Sequence, residues 1–213
     1  MDKKYKKEDF ELISWSEYQK ILDKLYGKID NYLEQTNTKI DAIVPMLRGG
    51  GVPGLILAFK LRLLNIFPVQ YKYLIYNEKT ETKGILTPSM IDYPMPDSPT
   101  FLLVENNHCT GSTFQIAAID LRKKFPNCKI IYAAARMDYS HQQLEFAEAS
   151  FYGELSNESR KLSESESSGL SINNRLAIYP WESLEEEWFA VQEKTFDYQN
   201  ISKIFNDFES KKN

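Results

Sequence analysis

Two short stretches of this chain carry residue types suited to a phosphorylated ligand, and each follows an apolar run of strand length. The first is Arg48-Gly49-Gly50-Gly51, after Ile40 to Pro45. A guanidinium is planar, permanently charged and able to grip phosphoryl oxygens with two N–H groups, while glycines let backbone amides come close to an anion. The second is Cys109-Thr110-Gly111-Ser112-Thr113, which follows Phe101-Leu102-Leu103-Val104 and the polar run Glu105-Asn106-Asn107-His108. Where Thr110 to Thr113 open a helix, amides, hydroxyls and the positive end of the helix dipole converge on one anion. Plainer readings exist for both: an exposed arginine beside a flexible turn, and Ser112 or Thr110 capping a helix behind a glycine turn. Cys109 at a helix start is also a candidate nucleophile, with His108 as the adjacent base.

These stretches need elements to hold them. Apolar side chains at Tyr18, Ile21, Leu22, Leu25, Ile29, Tyr32 and Leu33 recur at helical spacing and predict an amphipathic helix over 16–35, with Ser16 as its cap. Ile40 to Pro45 reads as a buried strand and Val52 to Leu64 as a helix, which makes strand, glycine loop and helix the βα unit of a parallel sheet. Val69 to Tyr76 is a second strand, and the polar stretch after it, with Lys79 and Lys83, reads as a long loop. Phe101 to Val104 and Ile130 to Ala135 are the third and fourth strands, with a helix ending near Lys124 between them. Both glycine turns then lie at the carboxyl ends of strands, where open α/β sheets bind ligands. Arg175 to Tyr179 reads as a short edge strand, Tyr198 to Phe208 as a helix, His141 as part of a surface helix start and Cys128 as a residue near the core.

Composition bounds the chemistry. With 213 residues, 42% hydrophobic and 26% charged, the chain can bury a core, and a single elaborated domain is expected. Two cysteines and two histidines are too few for a disulfide scaffold or a self-sufficient zinc site. A net charge of −4 gives no broad basic surface, so nucleic acid is disfavoured as a partner. No apolar run has the roughly 20 residues of a membrane span, and a cytoplasmic location is expected. The serine- and glutamate-rich run from Ser156 to Ser171 has the composition of a solvated loop.

The string from Phe101 to Thr113 resembles the phosphoribosyl pyrophosphate (PRPP) motif of the type I phosphoribosyltransferases. The resemblance extends upstream, where IVPMLRGGGVPG is similar to the pyrophosphate loop of the purine-salvage members, and downstream, where Tyr179-Pro180-Trp181-Glu182 resembles the ending of bacterial xanthine-guanine and related archaeal enzymes. It implies an α/β fold with a central, mostly parallel sheet flanked by helices, a small hood region and a C-terminal helical extension. On that reading residues 1–185 form the phosphoribosyltransferase-like domain, with a flexible loop at 156–173, and 186–213 the extension. Arg48, Gly49 and Gly50 would hold pyrophosphate, Thr110, Gly111, Ser112 and Thr113 the 5′-phosphate, and Glu105 with Asn106 the ribose. Glu105 would also face the Mg²⁺ that accompanies PRPP. Arg136, Leu176 and Trp181 take the positions of the base-binding residues, and relatives make a homodimer an expected assembly.

The departures from the pattern are chemical. The second ribose acid is Asn106, uncharged, and the position of the family's aspartate base is Cys109, a thiol with His108 beside it. A stacking aromatic is replaced by Leu176. The resemblance implies transfer of ribose 5-phosphate to a nucleobase-like acceptor with release of pyrophosphate. The departures raise a second reading, a weakened domain that senses PRPP or a nucleotide and reports to a partner. A hydrolase using Cys109 is a third.

Overall fold

The computed structural model describes residues 10–76, 79–85, 93–108, 111–137, 144–155 and 176–183. In chain order these form β1 (Phe10–Leu12), α1 (Trp15–Thr36), β2 (Ala42–Leu47), α2 (Gly51–Lys60), β3 (Val69–Tyr76), β4 (Lys79–Ile85), β5 (Thr100–His108), α3 (Ser112–Lys124), β6 (Lys129–Met137), β7 (Ala149–Leu155) and β8 (Leu176–Ile178). They belong to two compact bodies, one of Met1–Lys20 with Lys161–Asn213 and one of Ile21–Arg160. Cys109, Thr110, His141, the serine- and glutamate-rich run at 156–173 and the expected extension at 186–213 lie outside the described residues.

The larger body is built on a six-stranded sheet in the order β4-β3-β2-β5-β6-β7. β3, β2, β5, β6 and β7 run parallel, and β4 is antiparallel to β3. The central strands are apolar at nearly every position because both their faces are covered. On one face α3 contributes Phe114, Ala117, Ala118 and Leu121 to a core with Val44, Met46, Leu103 and Tyr132. On the other, Gly54 of α2 lies against Pro45, and Gly153 of β7 lies against Ile21 of α1, each where a side chain would clash.

The chain leaves β2 for β3 on one side, whereas β5 lies on the other side of β2 and is followed outward by β6 and β7. The winding direction therefore reverses between β2 and β5. The carboxyl ends of these two strands are thus the switch point, the place where open α/β sheets take ligands.

The smaller body pairs β1 with β8 in parallel, Phe10 opposite Leu176 and Leu12 opposite Ile178. Trp181 stacks on Tyr179 at 5.3 Å, and Tyr18 meets both rings edge-on, at 4.8 Å from Trp181 and 5.7 Å from Tyr179.

Several expectations need correction. The cap of α1 is Ser14, not Ser16: Ser14 N–H and Oγ donate to Glu17 Oε2 at 2.8 and 2.7 Å, and Glu17 N–H donates back to Ser14 Oγ at 3.2 Å, a reciprocal capping box. The stretch holding Lys79 and Lys83 is the strand β4, because an edge strand is held by backbone pairing and needs no apolar pattern. The third strand does not stop at Val104 but continues through the polar residues to His108. β1 and β7 carry no clear apolar alternation and were not expected.

Candidate functional site

β2 ends at the Arg48 turn, whose Leu47–Arg48 peptide is cis. Gly50 N–H donates to Met46 O at 2.7 Å and Gly51 N–H to Arg48 O at 3.0 Å, which folds the turn directly into α2. A Cβ at Gly50 would meet the Val104 carbonyl oxygen and lie 2.7 Å from Met46 N, so glycine is dictated by space. A Cβ at Gly49 would lie 3.3 Å from Asn106 Cβ, which places this turn against the end of β5. Arg48 itself is exposed.

At that end of β5, polar side chains replace the apolar pattern within the sheet. Asn106 and His108 are buried and Glu105 is partly buried. Tyr132 of β6, opposite Leu103 in register, donates its hydroxyl proton to Glu105 Oε2 at 2.9 Å and lies 3.0 Å from His108 Nδ1. Burial pushes the Glu105 carboxyl up to about 7, with the Tyr132 hydroxyl acting in the lowering direction. Tyr132 was missed by sequence reasoning, since only strand register shows that a tyrosine of β6 reaches the acid of β5.

Gly111 occupies the N-cap of α3 with φ +74°, a left-handed conformation that favours glycine. Gly111, not Ser112, is the cap, which corrects the plainer reading of that turn for Ser112. With no side chain at the cap, the first amides of α3 are arranged as in an anion site. A Cβ at Gly111 would lie 2.9 Å from His108 Cε1, so this turn rests on the histidine ring.

The fold thus brings Arg48, Gly49 and Gly50 together with Asn106 and sets His108 under Gly111. Arg136, at the carboxyl end of β6, is buried, and its Nε lies 3.0 Å from Glu154 Oε2, with the two residues opposite each other in register. Trp181 and the backbone of Leu176 belong to the smaller body. Among the described residues no three His, Cys, Asp or Glu side chains gather as a metal site. Glu105 offers one carboxylate, and its Oε2 accepts the Tyr132 hydroxyl proton. No helix among the described residues is long and apolar enough to cross a membrane.

No family model matches the sequence, and no curated protein matches it. Solved structures do. A xanthine-guanine-hypoxanthine phosphoribosyltransferase from Helicobacter pylori is 16% identical with a TM-score of 0.58, over 85% of this chain and 99% of that one. A hypothetical protein from Neisseria gonorrhoeae with bound ppGpp is 15% identical with a TM-score of 0.57, over 85% and 94%. A purine phosphoribosyltransferase from Pyrococcus horikoshii is 18% identical with a TM-score of 0.53, over 83% and 95%. At these identities the likeness is one of fold.

Proposed function

We propose that this chain, which has the type I phosphoribosyltransferase fold, binds PRPP and transfers its ribose 5-phosphate to a nucleobase-like acceptor, releasing pyrophosphate. The observation that carries this reading is the contact between the Arg48 turn and the end of β5, where Gly49 lies against Asn106 and Gly50 against the Val104 carbonyl, the two residues that flank Glu105. A ligand with a diphosphate on one side of a ribose and a phosphate on the other matches that spacing of functions. Arg48 and the Gly49 and Gly50 amides hold the leaving pyrophosphate. Glu105 and Asn106 face the ribose hydroxyls, and Thr110 to Thr113 hold the 5′-phosphate.

The C1–O bond to pyrophosphate breaks, its electron pair leaves with the diphosphate, and the acceptor nitrogen supplies the pair for the new C1–N bond. Positive charge develops on the ribose in between. The chain contributes by holding the leaving anion and orienting the sugar. Mg²⁺ enters with PRPP as part of the substrate, where it neutralises diphosphate charge. Arg136 is assigned to the acceptor, and Cys109 or His108 to its proton. Loss of a strong base costs about 10²- to 10⁴-fold in rate and slows such a transfer without abolishing it.

Calorimetry with PRPP and Mg²⁺, followed by a pyrophosphate-release assay over purines and pyrimidines, tests this. Absence of PRPP binding refutes it. One observation favours the second reading, a PRPP or nucleotide sensor: Asn106 is uncharged and the Glu105 carboxyl is pushed up to about 7, so the two ribose positions together carry about half a negative charge at neutral pH. Binding without release on any acceptor supports the sensor.

A further inference from the structure

A hydroxyl has one proton to give, and that limit gives meaning to the buried trio at the end of β5. The Tyr132 hydroxyl donates to Glu105 Oε2 at 2.9 Å, and the hydroxyl oxygen itself lies 3.0 Å from His108 Nδ1. With its proton committed to the carboxylate, the phenolic oxygen meets the histidine as an acceptor, so the ring presents Nδ1–H. Tyr132 has little room to turn away. It is fully buried, with Phe114 packed on it at 4.7 Å and the His108 ring edge-on at 5.4 Å. His108 in turn supports the turn before α3, with its Cε1 2.9 Å and its Nε2 3.7 Å from where a Gly111 Cβ would stand.

We propose that Tyr132 is a positioning residue: its single hydroxyl holds the Glu105 carboxylate and fixes His108 as the Nδ1–H tautomer, so one side chain sets both the ribose acid and the support of the phosphate turn. The linkage itself stands on geometry, while its consequence for a ligand rests on the phosphoribosyl reading above. Tyr132 need not touch the ligand.

Long-range ¹⁵N NMR of the full chain at about pH 8, above the Glu105 value of about 7, reads the tautomer directly. The chain has two histidines, and His141→Ala identifies the His108 signal. The wild type is expected as Nδ1–H. Tyr132→Phe, which keeps the ring under Phe114, is expected to shift His108 to Nε2–H, and Glu105→Ala, which frees the tyrosine proton for His108, to do the same. An Nε2–H wild type, or a tautomer unmoved in both variants, overturns the linkage. By calorimetry Tyr132→Phe is expected to weaken PRPP binding by about 5-fold, the scale of one hydrogen bond, with pyrophosphate affinity unchanged within about 2-fold. Equal losses for both ligands, or none for PRPP, overturn the positioning role. A wild type that does not bind PRPP refutes the phosphoribosyl reading and this consequence with it, and the ring spectrum then still decides the linkage.

Discussion

Glu105 is a glutamate whose proton is retained by the fold. Its carboxyl is pushed up to about 7 from 4.5, so between those values the folded chain holds a proton that the unfolded chain has lost. Stability from this group is therefore fullest below about pH 4.5 and declines as pH rises toward about 7. The shift corresponds to roughly 3 kcal/mol on the scale of 1.36 kcal/mol per unit. Glu105→Gln keeps an acceptor for Tyr132 and removes the titration. In urea unfolding the variant is expected to gain on the wild type by about that amount between pH 4.5 and 8, and a constant difference across that range refutes the assignment. Arg48 behaves oppositely. Being exposed, it contributes little to the fold, so Arg48→Ala is expected to leave stability within about 0.5 kcal/mol while weakening pyrophosphate binding by about tenfold or more. Arg48, Glu105 and Asn106 were legible because their types stand out after apolar runs. Tyr132 was not, since a tyrosine within IIYAAA looks like core until its partner strand is known.

At the scale of elements, the turn after β2 depends on one missing side chain. Gly50→Ala drives a Cβ into the Val104 carbonyl and to within 2.8 Å of both Met46 N and O, backbone atoms of two adjacent strands that cannot move independently. The expected cost is about 3 kcal/mol or more, read as a lower urea midpoint, with loss of pyrophosphate binding in whatever fraction folds. A variant as stable as the wild type refutes the close packing of β2, β5 and the turn. The elements themselves were legible in proportion to their apolar pattern. β3 and α3 match their expected spans, and of the apolar face expected for α1, Tyr18, Ile21, Leu22, Leu25 and Ile29 are buried while Tyr32 and Leu33 are half-buried. β4 and β7 are edge strands of the sheet, where one side of the ladder and part of each face lack apolar cover, so sequence pattern marks them weakly. The extension of β5 to His108 escaped for another reason. Asn106 and His108 are buried polar residues in a strand end, which an apolar pattern does not mark.

The whole molecule carries a net charge of −4, so it has no general attraction for a polyanion. Any PRPP affinity must come from the local arrangement at the switch point. The residues assigned to PRPP all belong to the Ile21–Arg160 body, whereas Trp181 and Leu176 belong to the other. A ligand stabilises the unit whose folded form it binds, by about 2.7 kcal/mol at 100 times its Kd. For a body of this size that raises the unfolding temperature by roughly 5 to 10 °C. Scanning calorimetry with PRPP and Mg²⁺ is therefore expected to raise the transition of the sheet-bearing body, and the shift at the same PRPP concentration is expected to shrink in Arg48→Ala. If the wild-type transition stays in place at millimolar PRPP, the loops at the switch point do not form a PRPP site. If Arg48→Ala shifts as far as the wild type, PRPP is held elsewhere, and the contact between the Arg48 turn and the end of β5 serves the fold alone.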